Sequence, residues 1–193
     1  MEMDDNEEDD FKDRLNQLYL AVILRYRDHI EEKENLSVAE LPRLVTPESQ
    51  LVSRTADEIK GEEYVYEANF YEASLKAQEF VRDKIDGVLL PVQFWILPDE
   101  TIKFRLGDSI DNSILLCSLL IKLGNPSTKV LISIREDTRK AYVYCEFNNS
   151  IYLFDISEGV DAFQTKEDML KHVGIDENST AYEFNDKMFL DIY

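Results

Sequence analysis

The sequence is short of the residues that carry most enzymatic chemistry. It holds two histidines, two cysteines and one tryptophan among 193 residues. Two cysteines cannot build a disulfide framework, so a reducing cytoplasm is the expected compartment. There is no CxxC pair, no glycine-rich phosphate loop and no basic-aromatic patch, so neither a cofactor nor a metal is implied. Apolar runs stay far short of about 18 residues, and no membrane span is expected. The first residues lack the basic and apolar regions of a secretory signal. Basic residues are also scarce. Lys and Arg number 21 against 40 Asp and Glu, a net charge of −19. Such a chain is repelled by nucleic-acid phosphates and by anionic lipid, so neither is an expected partner. A basic protein or peptide partner fits this charge, as does plain solubility.

What is present describes a folded protein. Hydrophobic residues make up 44% and aromatics 11%, which excludes a wholly disordered chain. The length corresponds to about 1.3 average domains, or one domain with an extension. Residues 1–10 carry seven acids and little to bury, and read as a disordered tail. Phe11, Leu15, Leu18, Tyr19, Val22, Ile23 and Tyr26 then recur at helical spacing. A connector with two prolines leads to Thr46-Pro47-Glu48, which reads as a helix start with Thr46 as cap. That helix is expected to reach Lys60 before Gly61. A third is expected over 67–85, burying Phe70, Tyr71, Leu75, Phe80, Val81 and Ile85. Residues 88–97 are apolar and extended, and Pro91 argues against a regular central strand.

From Ser109 to Leu123 apolar residues cover nearly every side, the pattern of a buried central helix. The period then changes to two. Strands are expected over 129–134, 141–147 and 151–154, with Asn148-Asn149 as a hairpin turn. A capped helix over 165–173 and short strands over 181–184 and 188–192 complete the chain. Helices first and antiparallel hairpins second predict an α+β fold. The division expected is an acidic tail at 1–10, a helical extension at 11–60 and a core domain at 61–193.

One stretch carries a resemblance. It runs from Trp95-Ile96-Leu97-Pro98 through Gly107-Asp108-Ser109-Ile110-Asp111 into a leucine-rich helix ending at Gly124. Lys140-Ala141-Tyr142-Val143 and Tyr152-Leu153-Phe154-Asp155 follow in order. The arrangement resembles the transglutaminase-like superfamily, especially its microbial and archaeal members. Their motif is Gly-Asp-Cys-x-Asp before a helix, then a His-Ala-(Trp/Tyr)-Val strand and a strand ending in Asp. The resemblance covers roughly residues 62–193 and implies a papain-like α+β core. In that family a cysteine thiolate at the helix N-terminus attacks an amide, and His and Asp complete the triad. A helix N-terminus lowers a thiol pKa, and an acyl-enzyme splits amide transfer into two easier steps.

Two triad positions depart from the pattern. The nucleophile position is Ser109. The base position is Lys140, or Arg139 one residue earlier. Only Asp155 matches. A serine hydroxyl needs a base, and a lysine ammonium ordinarily holds its proton to about pH 10.4. Desolvation would have to lower that value by several units before a Ser–Lys pair could work. A Lys140–Asp155 ion pair in place of the His–Asp pair is the simplest expectation. His29 and His172 read as surface or cap residues, and Cys117 and Cys145 as core. Asp108 and Asp111 read as caps of the central helix rather than metal ligands.

The resulting expectation is a catalytically silent transglutaminase-like module that binds a protein or peptide segment. Trp95, Tyr142 and Tyr144 are its candidate ligand contacts, with Phe94 beside them. The alternative is a serine-based amide hydrolase, peptidase or acyltransferase using Ser109 with Lys140. A third reading is a purely structural subunit of an acidic complex. The N-terminal helix either packs on the core or recruits a partner.

Overall fold

A computed structural model describes residues 5–32, 38–88, 96–135, 138–177 and 179–192. The chain is α+β, a helical half followed by an antiparallel sheet. The helical half begins with α1 (Asp5–Glu32), a 3₁₀ segment (Val38–Leu44), α2 (Gln50–Lys60) and α3 (Tyr66–Lys84). A short α4 (Pro98–Phe104) and the central α5 (Ser109–Lys122) follow. Between them β1 (Asp86–Gly87) and β2 (Leu106–Gly107) form a two-residue parallel pair. The second half holds β3 (Lys129–Arg135), β4 (Thr138–Phe147), β5 (Ser150–Asp155), β6 (Gly159–Phe163), α6 (Lys166–His172), β7 (Thr180–Phe184) and β8 (Phe189–Asp191). Strand order is β6-β5-β4-β3-β7-β8, antiparallel throughout.

Alternation along the strands divides the core in two. Val130, Ile132, Val143, Cys145, Phe147, Phe154 and Phe184 share a cluster with α5. Leu131, Tyr142, Tyr144, Ile151 and Leu153 belong to a cluster with Met169 and Leu170 of α6. Every residue of α5 from Ser113 to Leu120 is buried, because α2, α3, α4 and the sheet surround it. That is where an all-round apolar helix belongs. Leu41, Val45, Val52 and Ala56 enter the same principal core. The leading helix packs too: Leu18 and Val22 of α1 bury against Ile96, Phe104 and Leu106.

Four local expectations are corrected. The N-terminal helix starts at Asp5, inside the segment read as a tail. Helix α2 begins at Gln50, and Thr46 does not cap it. Asp99 of α4 does so from a distance, its Oδ1 accepting from Leu51 N at 3.1 Å and Ser49 Oγ at 2.6 Å. Tyr71 is 41% exposed and leans on Tyr152, with ring centres 4.9 Å apart. Strand β6 was not expected, because Gly-Val-Asp-Ala-Phe carries no apolar alternation. It is an edge strand held by its ladder with β5. The segment around Pro91 lies outside the described residues. Both asparagines of the β4–β5 turn have positive φ, 49° and 59°, as a two-residue hairpin requires.

Candidate functional site

The N-terminus of α5 opens onto a cleft of about 760 Å³. Its walls come from the β1–β2 pair, the first turn of α5, the start of β4 and the β5–β6 turn. Ser109, Lys140 and Asp155 all line it, together with Arg139 and Tyr142. Three segments far apart in sequence thus meet at one cleft. Trp95 and Phe94 lie outside the described residues.

The helix start is built by two carboxylates. Asp108 is the N-cap, its Oδ1 accepting from Ile110 N at 2.7 Å and Asp111 N at 2.9 Å. Asp111 reaches back, its Oδ2 accepting from Asp108 N at 3.1 Å and its Oδ1 from Ile96 N at 3.1 Å. Burial and the neighbouring Asp108 charge push the Asp111 carboxyl well above the usual carboxylate range. These two acids satisfy the backbone donors that a helix start leaves open. Gly107 permits the tight approach: a Cβ there would meet Asn112 Oδ1 at 2.7 Å. That Asn112 oxygen is buried without a hydrogen-bond partner among the described residues, and Asn112 lines the cleft.

Ser109 is the first residue of α5, where a nucleophile would stand. Lys140 is exposed and stands in β4 opposite Ser133. Neither it nor Arg139 forms an ion pair among the described residues. The expected Lys140–Asp155 pair is therefore corrected. Asp155 Oδ1 instead accepts from Ser157 N at 2.9 Å, Ser157 Oγ at 2.7 Å and Glu158 N at 3.1 Å. The carboxylate caps the turn that follows β5. Gln78 of α3 holds the same turn, its Nε2 donating to the carbonyls of Asp155 at 2.6 Å and Gly159 at 3.0 Å. Tyr142 is 6% exposed. Burial pushes its phenol up, Lys140 pulls it down, and Asp155 and Glu158 push it up again.

Tyr144 is corrected as a ligand contact. It is 1% exposed, on the sheet face that α6 covers, and its hydroxyl donates to Glu183 Oε2 at 2.5 Å. Glu183 is itself 1% exposed and also receives Lys129 Nζ at 3.1 Å and Lys166 Nζ at 2.5 Å. Burial pushes the Glu183 carboxyl up, but the bonds from Lys166, Tyr144 and Lys129 outweigh it and hold it below the ordinary value. This buried acid was not singled out in the sequence. Its alternation with Ala181 placed it on a core face, which was the available signal.

No thiol or imidazole is found in the described lining of the cleft. Cys117 and Cys145 are free and buried, and burial raises both thiols, Cys145 to about 12. His172 sits on α6 beside Phe163, with Nε2 at 3.3 Å from Asp161 Oδ2. The side chain of His29 lies outside the described residues. No group of three or more metal-ligating side chains occurs among the described residues. No described helix is long and apolar enough to cross a membrane.

The sequence matches no family profile and no curated protein. Solved structures do match. Legionella pneumophila LapG is 15% identical, with a TM-score of 0.53, over 81% of this chain and 88% of that one. Its calcium-bound form is 14% identical with a TM-score of 0.51, over 81% and 88%. LapG has a papain-like, transglutaminase-like fold, and this chain shares that fold.

Proposed function

We propose that this chain is a transglutaminase-like domain whose nucleophile and base have been replaced, and that its cleft binds a protein or peptide segment. The observation that carries the reading is the state of the three triad positions. Ser109 and Lys140 replace the thiol and imidazole, and Asp155 is committed to its own turn. A serine at a helix N-terminus gains little from the dipole, worth about 0.3–1 kcal/mol, against the far greater cost of ionising a hydroxyl. The described lining of the cleft holds no imidazole to take its proton. The cleft remains concave, with Val88, Ile110, Ala141 and Ile156 beside charged rims, which suits an extended segment. The net charge of −19 favours a partner with basic character. Two buried free cysteines fit a reducing cytoplasm.

A second reading, a Ser–Lys amide hydrolase or acyltransferase, is favoured by one observation: Ser109 and Lys140 line the same cleft. In it Lys140 would take the Ser109 proton as the hydroxyl attacks an amide carbonyl. The two readings separate in one assay. Wild type, Ser109→Ala and Lys140→Ala are compared for peptide hydrolysis and for amine transfer to a glutamine peptide. The binding-module reading expects no turnover above the Ser109→Ala background. Activity present in wild type and lost in both variants would replace it with the enzyme.

A further inference from the structure

We infer that an extended peptide segment pairs along the free edge of β1 and lays one bulky side chain over Gly87, so that Gly87 sets what the cleft accepts. The inference rests on the peptide-binding reading above. The chain has 6 glycines. Gly61, Gly124, Gly159 and Gly174 have positive φ, which favours glycine. Gly107 has no room for a Cβ. Gly87 has neither reason. Its φ lies outside the left-handed region, and a Cβ there would meet nothing within 4 Å among the described residues. A glycine weakens a strand. Where the fold itself does not need one, it marks a place that a ligand or another chain approaches closely.

The bare face at Gly87 belongs to the cleft. Gly87 and Gly107 are cross-strand partners, so they face the same way. Gly107 faces Asn112, which lines the cleft. The residues before them face the opposite way. Asp86 receives Arg14 Nη2 of α1 at 2.8 Å, and the buried Leu106 packs with Leu18 and Val22 of α1. Helix α1 therefore covers one face of the β1–β2 pair. On the other face Gly87 is exposed and lines the cleft.

The edge supplies the pairing groups. Among the described residues β1 has β2 on one side and no strand on the other. Asp86 N donates to Arg105 O at 2.9 Å, and Val88 N to Gly107 O at 3.1 Å. Alternate residues of a strand turn their main-chain groups to opposite sides. The Gly87 N–H and C=O, between those two donors, therefore point away from β2. One residue of an antiparallel guest can exchange both hydrogen bonds with Gly87. Its side chain then stands beside the missing Cβ, on the cleft face. Main-chain bonds supply affinity without reading sequence, and the empty space over the glycine supplies selection. Ile110, Ala141 and Ile156 line the same cleft as apolar neighbours for a bulky side chain.

The test uses a peptide selected from a random displayed library against the wild-type chain, titrated by calorimetry into wild type and Gly87→Val. Valine suits a strand and meets open space here, so the melting temperature should hold or rise. The same variant should bind the peptide about tenfold or more weakly. In wild type, N-methylation of one peptide amide should weaken binding similarly, and an alanine scan should find one bulky side chain worth about tenfold. That alanine peptide should bind Gly87→Val no worse than the parent peptide does, because the two changes act on one space. A cleft-bound peptide held equally by Gly87→Val would overturn the inference, as would a flat N-methyl scan. A lowered melting temperature in Gly87→Val would also overturn it, by giving the glycine a role in the chain's own fold. A wild type that takes no peptide at the cleft would instead sink the peptide-binding reading, and this inference with it.

Discussion

Asp155 separates a vestigial triad from a turn cap, and two substitutions at this position give different answers under the two roles. Its Oδ1 accepts three hydrogen bonds, from Ser157 N, Ser157 Oγ and Glu158 N, at 2.7–3.1 Å. They share one oxygen on a half-exposed turn, so they do not add. Their joint effect resembles that of a helix N-cap, about 1–2 kcal/mol. For a chain of this length, Asp155→Ala should lower the melting temperature by roughly 2–8 °C. Asp155→Asn keeps an acceptor oxygen in the same place and should stay within about 0.5 kcal/mol of wild type. Thermal melts give the magnitude. Amide hydrogen exchange gives the location: Ser157 and Glu158 should lose protection in the alanine variant and keep it in the asparagine variant. An ion pair with Lys140 would behave otherwise. Asparagine would then harm as much as alanine, and the harm would shrink as salt rises. That outcome would refute the turn-cap assignment.

Removing the buried Glu183 carboxylate strands Tyr144, Lys129 and Lys166, so Glu183→Ala should cost about 3–5 kcal/mol by denaturant titration. Glu183 is held below its ordinary value, so its contribution is complete above about pH 4.3 and fades as pH falls through the lowered value. The gap between wild type and variant should therefore narrow in acid, and a gap that widens there would contradict the network. Cys117 and Cys145 are raised by burial and should resist a thiol reagent at neutral pH until the chain is unfolded, when both react. Rapid labelling of the native chain would contradict their assignment to the core.

Much of the fold was legible because hydrophobic period and caps agreed. The all-round apolar run after Ser109 is the buried helix α5, and Asp108 with Asp111 caps it as their spacing implies. The Asn148-Asn149 turn and the alternating strands on either side were equally readable. What was hidden depended on tertiary contacts. The cap of α2 comes from Asp99, 50 positions after Ser49, and no local pattern announces it. Strand β6 forms because β5 offers an edge, not because its own residues prefer a strand. At the site, sequence order sufficed to bring Ser109, Lys140 and Asp155 to one cleft. It did not indicate which partner the Asp155 carboxylate would choose. Tyr144 misled because its two-residue spacing from Tyr142 gives both the same face, and α6 covers that face at Tyr144. Glu183 escaped notice because a lone acid in a short strand looks solvated until two lysines and a tyrosine converge on it.

The most direct test of the proposed role is to find what the cleft holds. Peptides selected from a random displayed library against wild type would be titrated into isotope-labelled protein. The account predicts amide shifts clustered at Ser109, Ile110, Ala141 and Ser157, uncleaved peptide, and loss of binding in Ile110→Trp, which fills the cleft. Peptides that bind elsewhere, that ignore Ile110→Trp, or that are cleaved in a Ser109-dependent way would contradict it.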